Sequence, residues 1–439
     1  MNRREWLKLS AAGMAATGVG LTPSGALAQA VCDTCSKGPL GPPDKTFALE
    51  VGDIRTTMVD GQMVNQLAYR LASADKPWRV PGPVIRVKEG SLIEIKITNT
   101  RKEVHGFEIT GLPETKTEIS PGCSCTVRFI APMGGTYVYH DAYGNTPLYR
   151  ILGLYGVLVV EPIDGTTKVT STNQYPSLTP YSLDQLGIGS RDSITKLFDA
   201  LGTTTRFIGD GVRGKWVACG DGDEFSNQEK VWVLTELDPR FNALVEPGKP
   251  IASSPSLTSD VVSNFVPRYF SINNRSGYDL HKGGSEVCPD NYIGEPTLIR
   301  MVNVGLAHHS PHIHSHVMRL SQANLNPTSP DFGKVEVADN IFELDAWSMW
   351  PMDRRDLLLP YEIPPDIPYK SVDGSGSAQT QFEKMVAGQT QEKFPLRYVL
   401  HDHVEMGTTA AGGNYPQGMV LHWEIMGGFG KRALATAKL

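Results

Sequence analysis

A chain of 439 residues, 40% hydrophobic and 20% charged, is long enough for two or three domains that each bury a core. Its net charge of −6 carries no basic block, which argues against a nucleic-acid partner, and beyond the first thirty residues no apolar run is long enough to cross a bilayer. With 44 Gly and 31 Pro among many short Val/Ile/Thr-rich runs, the composition predicts an all-β chain of sandwiches rather than helical bundles.

Residues 1–30 predict a signal peptide of the twin-arginine type. Asn2-Arg3-Arg4-Glu5-Trp6-Leu7-Lys8 precedes a mild apolar stretch from Leu9 to Leu21, and Ala26-Leu27-Ala28 or Ala28-Gln29-Ala30 supplies a small-x-small cleavage site. The expected destination is the periplasm, or secretion, of an already folded protein. Six cysteines in an exported chain predict disulfides. Cys32 and Cys35 would pair with Cys123 and Cys125, and Cys219 with Cys288; a four-thiolate metal site built from the first four is the alternative.

Residues 46–162 read as one β domain. After Val80-Pro81-Gly82-Pro83 comes a strand, and in Leu92–Thr98 the residues Ile93, Ile95 and Ile97 alternate with Glu94 and Lys96. Similar patterns run through Thr126–Phe129 and Thr136–Tyr139 and end in Tyr155-Gly156-Val157-Leu158-Val159-Val160. Residues 163–228 are polar and rich in Gly, Ser and Thr, with one plausible helix over Ser182–Leu201. They predict a long, partly helical linker, a degenerate third domain being the alternative. A second β domain follows over 229–427, with its clearest strands at Lys230–Thr235, Arg268–Asn273 and Pro296–Asn303 and a flexible loop at Asp373–Ser377.

Seven of the eleven histidines fall in two stretches. Five occupy positions 308, 309, 312, 314 and 316, and two more stand in Leu400-His401-Asp402-His403-Val404. Side chains at i and i+2 of a strand share a face, so each His-x-His points two imidazoles in one direction from a rigid backbone. That is the donor set and preorganisation of a copper or zinc site.

At these residues the chain resembles the multicopper oxidase family, over nearly all of its mature length. The resemblance rests on Pro81-Gly82-Pro83, His105-Gly106, Gly135-Thr136-Tyr137-Val138-Tyr139-His140, Gly153-Leu154-Tyr155-Gly156, His309-x-x-His312-x-His314, and His401-x-His403 followed by Gly418-Met419. It implies two cupredoxin-like Greek-key β-barrels. The length looks most like two-domain laccases and copper nitrite reductases, which implies a homotrimer with copper between the first barrel of one subunit and the second of the next. The implied copper ligands are His105, His140, His312, His314, His401 and His403. Glu103 and Ala142 stand where two further ligands of the family belong, so one or two coppers per subunit are implied rather than three.

The resemblance also implies a missing blue copper. Asp402 occupies the place of its cysteine and Gly407 that of a ligand histidine, while His140 is followed by Asp141. His309 matches a surviving ligand of that site. A hydrogen bond to Asp402 would satisfy both groups; a carboxylate-containing metal site is the alternative. Without outer-sphere electron transfer, the expected function is an oxidoreductase in which a small substrate or dioxygen coordinates the copper directly. Glu103 and Asp141 are the candidate catalytic proton relays. A non-enzymatic copper-binding or tolerance protein, and a structural relative without catalysis, are the competing expectations.

Overall fold

The computed structural model describes residues 32, 35–73, 75–161, 229–251, 261, 263–282, 287–292, 297–337, 343–359 and 395–427. The predicted signal peptide, the linker with its helix over 182–201, and the loop at 373–377 lie outside the described residues.

Residues 35–161 form two five-stranded sheets. One runs in the order Cys35–Lys37, Ser124–Ile130, Leu92–Asn99, Lys45–Thr57, Met63–Leu71; the other in the order Ile85–Lys88, Tyr155–Glu161, Gly135–His140, His105–Ile109, Leu112–Ile119. Their inner faces share one apolar core, which includes Ile93, Ile95, Ile97, Phe107, Tyr139 and Leu158. The period-two alternation of Leu92–Asn99 is the cause. Ile93, Ile95 and Ile97 are fully buried, each worth about 1.5–3 kcal/mol, while Glu94 faces outward and accepts from Arg128 Nε at 2.7 Å on the next strand.

Two disulfides tie the start of the described chain to this sandwich. Cys32 bonds to Cys123, and Cys35 to Cys125, its register partner on the parallel strand. All four sulfurs are thereby used, which rules out the four-thiolate metal site. Cys219 lies outside the described residues. Cys288 is buried, with Sγ 3.8 Å from the Leu280 carbonyl oxygen.

From residue 229 onward, ten strands make a single sheet that curls around a second core containing Trp232, Met301, Ile313, Leu400, Leu421 and Trp423. Its middle strands, in spatial order, are Arg354–Leu359, Pro311–Ala323, Leu396–Asp402 and Val420–Gly427. The two sandwiches are packed together. Val157 and Val159 turn away from the first core and join Val138, Val233, Val302 and Val304 in a layer between them. The strand Tyr155–Glu161 is thus buried on both faces, which is why it reads as an apolar run and not as an alternation. Polar groups fix the docking. Arg300 bonds Glu229 and reaches Asp356 at 3.1 Å, Asp356 also accepts from the Thr136 hydroxyl, and Arg86 pairs with Glu229 at 2.7 Å. No helix among the described residues is long and apolar enough to cross a membrane.

Candidate metal centre

The strand Pro311–Ala323 runs antiparallel to Leu396–Asp402 with His312 opposite His401. Ile313 points into the core, so His312 and His314 on either side of it both lie on the outer face, and pairing places His401 there too. His403 lies just beyond the strand end, held by its backbone N–H donating to the Ser310 carbonyl at 2.8 Å. The four rings converge. Centroid separations are 4.9 Å for His312 and His314, 5.1 Å for His312 and His401, 5.3 Å for His312 and His403, and 5.7 Å for His401 and His403. One ring nitrogen from each of His312, His314 and His401 lies within 4.8 Å of the others.

Two details suit this cluster to a metal. His401 Nδ1 lies 3.1 Å from the Asp402 carbonyl oxygen, which can only accept; Nδ1 therefore carries the proton and Nε2 keeps its lone pair. His312 Nδ1 is buried without a hydrogen-bond partner, an arrangement that costs about 1–3 kcal/mol unless something fills it. Burial first, and then the neighbouring imidazoles of His401 and His314, hold His312 below its ordinary value and so keep it neutral. Neutral imidazoles are the form that ligates. The residues present therefore fit a copper ion, or by donor type zinc. Among the described residues, the Asp345 carboxylate stands beside the cluster, with Oδ2 3.9 Å from His312 Nε2.

Behind this face, inside the sandwich, His309 is held at both nitrogens. Nδ1 donates to Asp402 Oδ2 at 2.6 Å, and Nε2 meets Glu236 Oε1. All three side chains are buried. Although burial pulls the His309 imidazole down, Asp402 and Glu236 push it up to about 9, so an imidazolium sits between two carboxylates. The other Asp402 oxygen accepts from the backbone of Ser310 at 2.8 Å and Val404 at 3.1 Å. Glycines make the room: a Cβ on Gly407 would stand 1.8 Å from Asp402 Oδ2, and one on Gly305 2.2 Å from Glu236 Oε2. The expected His309–Asp402 hydrogen bond is therefore present. Glu236 was not anticipated. Its signal in the sequence is a lone acid within the otherwise apolar run Val231–Leu237, where an unpaired charge would be costly.

The first sandwich holds His105 and His140 on opposite faces of one sheet. His105 shares its strand face with Phe107 and Ile109 and points into the core, fully buried. Its Nδ1 donates to Asp141 Oδ2 at 2.7 Å, and Nε2 lies 3.2 Å from Glu103 Oε1, within ion-pair reach but off the axis of a hydrogen bond. With Nδ1 committed to Asp141 and Nε2 buried beside Glu103, His105 faces the core and not the outer side of its sheet. Strand parity, invisible in a two-residue motif, is the reason. Glu103 and Asp141, expected as proton relays, are spent on His105, and Glu103 also accepts from Arg101 Nε at 3.0 Å. His140 lies on the opposite face of its strand, across from Glu108 and on the side of Val138. Burial first and the Arg150 charge next hold it down at about 3. Among the described residues, neither His105 nor His140 makes a ring contact with the four-imidazole cluster.

Comparison with known proteins bears on the first sandwich most directly. Residues 78–165, about a fifth of the chain, match the family model described as multicopper oxidase. The copper-containing nitrite reductase of Neisseria meningitidis serogroup B is 31% identical over 128 residues, covering 28% of this chain and 31% of that protein. The L-ascorbate oxidase of Cucumis sativus is 35% identical over 101 residues, 20% of this chain and 17% of its own length. The matched stretch thus spans less than a third of these curated relatives. Among solved structures, the blue copper oxidase from Nitrosomonas europaea superimposes with a TM-score of 0.53 at 18% identity, over 87% of this chain and 86% of that one, a likeness of fold. Residues 78–165 thus match a multicopper oxidase domain, and the chain shares the fold of a blue copper oxidase over most of its length.

Proposed function

We propose that the chain is an exported copper-dependent oxidoreductase whose metal is held by His312, His314, His401 and His403, without a blue copper. The observation that carries this reading is the convergence of four imidazole rings, with a ring nitrogen of each of His312, His314 and His401 within 4.8 Å of the others. Copper bound there supplies a Lewis acid and a one-electron redox centre.

The chain's own groups have distinct tasks. The Asp402 carbonyl fixes the His401 tautomer, and Ile313 and Leu400 anchor the two strands from the core side. The Asp402 carboxylate, in the place the family gives to a thiolate, is committed to His309 and to two backbone N–H groups and has no role toward the outer face. Asp345, two-thirds exposed beside His312, is the group placed to hold a proton, at Oδ2. His314 and His403 are exposed, so a small molecule or dioxygen reaches the centre from outside. His140 and His105 are left out of the ligand set in this reading. One or two coppers per subunit remain the proposed content. The same exposure suits a copper-binding protein without turnover, and the test must separate the two.

Copper-loaded protein should lack intense blue absorption and give the paramagnetic spectrum of a nitrogen-ligated Cu(II). Azide should change that spectrum. A spectrum indifferent to azide, nitrite and nitric oxide would replace the enzyme with the copper binder; undiminished copper in His312→Ala would remove the site itself. We further propose twin-arginine export to the periplasm, checked by cytoplasmic retention of the Arg3→Lys, Arg4→Lys variant. A homotrimer in which a neighbouring copy covers the exposed imidazoles completes the reading, checked by light scattering on the mature protein.

A further inference from the structure

A second pair of histidines lies on the same sheet face and has no part in the centre just described. His281, on the short helix Tyr278–Lys282, and His422, on the strand Val420–Gly427, stack at a ring separation of 4.8 Å and an angle of 12°. Their Nδ1 atoms are 2.7 Å apart. His422 Nε2 lies 3.0 Å from Glu424 Oε1, and the same oxygen accepts from Arg397 Nε at 2.6 Å. A carboxylate fixed beside Nε2, within ion-pair reach though off the axis of a hydrogen bond, favours the His422 tautomer that keeps its proton on Nε2 and leaves Nδ1 with a lone pair. Only one proton fits between the two Nδ1 atoms, and His281 supplies it.

We infer that His281 and His422 form a separate copper-binding site that takes up the ion destined for the four-imidazole centre. On binding, the proton between the rings leaves His281 Nδ1 and returns at its Nε2 through solvent. Both Nδ1 lone pairs then face the metal and no net charge is lost. Two neutral nitrogens with an open side, His281 being exposed, favour Cu(II) over the other divalent first-row ions, with water completing the coordination. The register gives the route. His422 pairs with Val399 and His401 with Val420, so His422 and His401 are diagonal neighbours on one face, about 7–8 Å apart. Binding by the pair stands by itself; its role in uptake rests on the neighbouring cluster being a copper centre.

The test is to add Cu(II) stepwise to the metal-free mature protein, its His281→Ala and His422→Ala variants, and His312→Ala. Equilibrium dialysis and paramagnetic resonance are the readouts. The parent should bind one more equivalent than either pair variant, about tenfold more weakly than the main centre. The pair variants should keep the azide-sensitive signal and its final intensity but acquire it several-fold more slowly. His312→Ala should keep the equivalent that depends on His281, which separates this site from the main one. Equal copper content in parent and His281→Ala would overturn the site, and an unchanged loading rate would overturn its role in uptake.

Discussion

The two sandwiches carry the same device and differ in what lies on its other side. In the first, His105 Nδ1 bonds Asp141 and Gly106 N–H donates to the other Asp141 oxygen at 2.8 Å. In the second, His309 Nδ1 bonds Asp402 and Ser310 N–H does the same at 2.8 Å. Each aspartate follows a histidine whose Nδ1 reaches that aspartate's own carbonyl, at 3.2 Å for His140 and 3.1 Å for His401. Each imidazole has a second acid, Glu103 or Glu236, at Nε2. On the opposite face the spacing is conserved between the halves, but the residue types are not. Glu108 faces His140 where His312 faces His401, and Thr110 and Ala142 stand where the second sandwich has His314 and His403. The first sandwich turns this face toward a valine layer against its neighbour; the second leaves it open. The comparison separates two roles. The buried His–Asp pair joins strands from within, whereas metal chemistry belongs to the open outer face.

The largest expected effect tests that separation directly. His312→Ala or His401→Ala should abolish copper binding at the main centre with little change in the stability of the metal-free protein, whereas His140→Ala should leave copper content intact; elemental analysis decides. Next in size, Asp402→Ala and Asp141→Ala should each cost about 3–5 kcal/mol in urea unfolding, because each strands a buried imidazole. If Asp141→Ala is nearly neutral, the two devices are not equivalent.

The pH dependence follows from His309. Its folded value is raised from 6.5 to about 9, so its contribution is complete below pH 6.5 and disappears as pH rises through about 9. Metal-free protein should lose on the order of 3 kcal/mol across that window, and Glu236→Gln should flatten the loss. Gly407→Ala should cost about 1–3 kcal/mol, since its Cβ would collide with Asp402. The smallest effect belongs to Asp345→Asn, well under about 1 kcal/mol in stability, since the group is exposed and 3.9 Å from its partner. Any change there should appear in the pH profile of turnover.

Much of the fold was legible. The alternation of Leu92–Thr98, the doubly apolar run ending at Val160, and the paired His-x-His stretches all translate into strands by period alone. The four central imidazoles were legible for the same reason. His105 was not, because a short motif leaves open which face of the strand it takes, and Phe107 and Ile109 decide that by burying beside it. Glu236 and the His281–His422 pair were hidden because their partners are 73 and 141 positions away in sequence.

The sequence by itself determined local matters: which runs are strands and which side chains share a face, whereas the pairing of Cys32 with Cys123 and of Cys35 with Cys125 needed the strand register. The local matters follow from a two-residue period and from chemistry carried by neighbours in the chain. Tertiary structure decided which face became core, because burial is settled by the total apolar area that two sheets hide together. It also decided which charges were affordable inside, since a buried carboxylate is tolerated only where folding brings it a partner, as Asp402 and Glu236 are brought to His309.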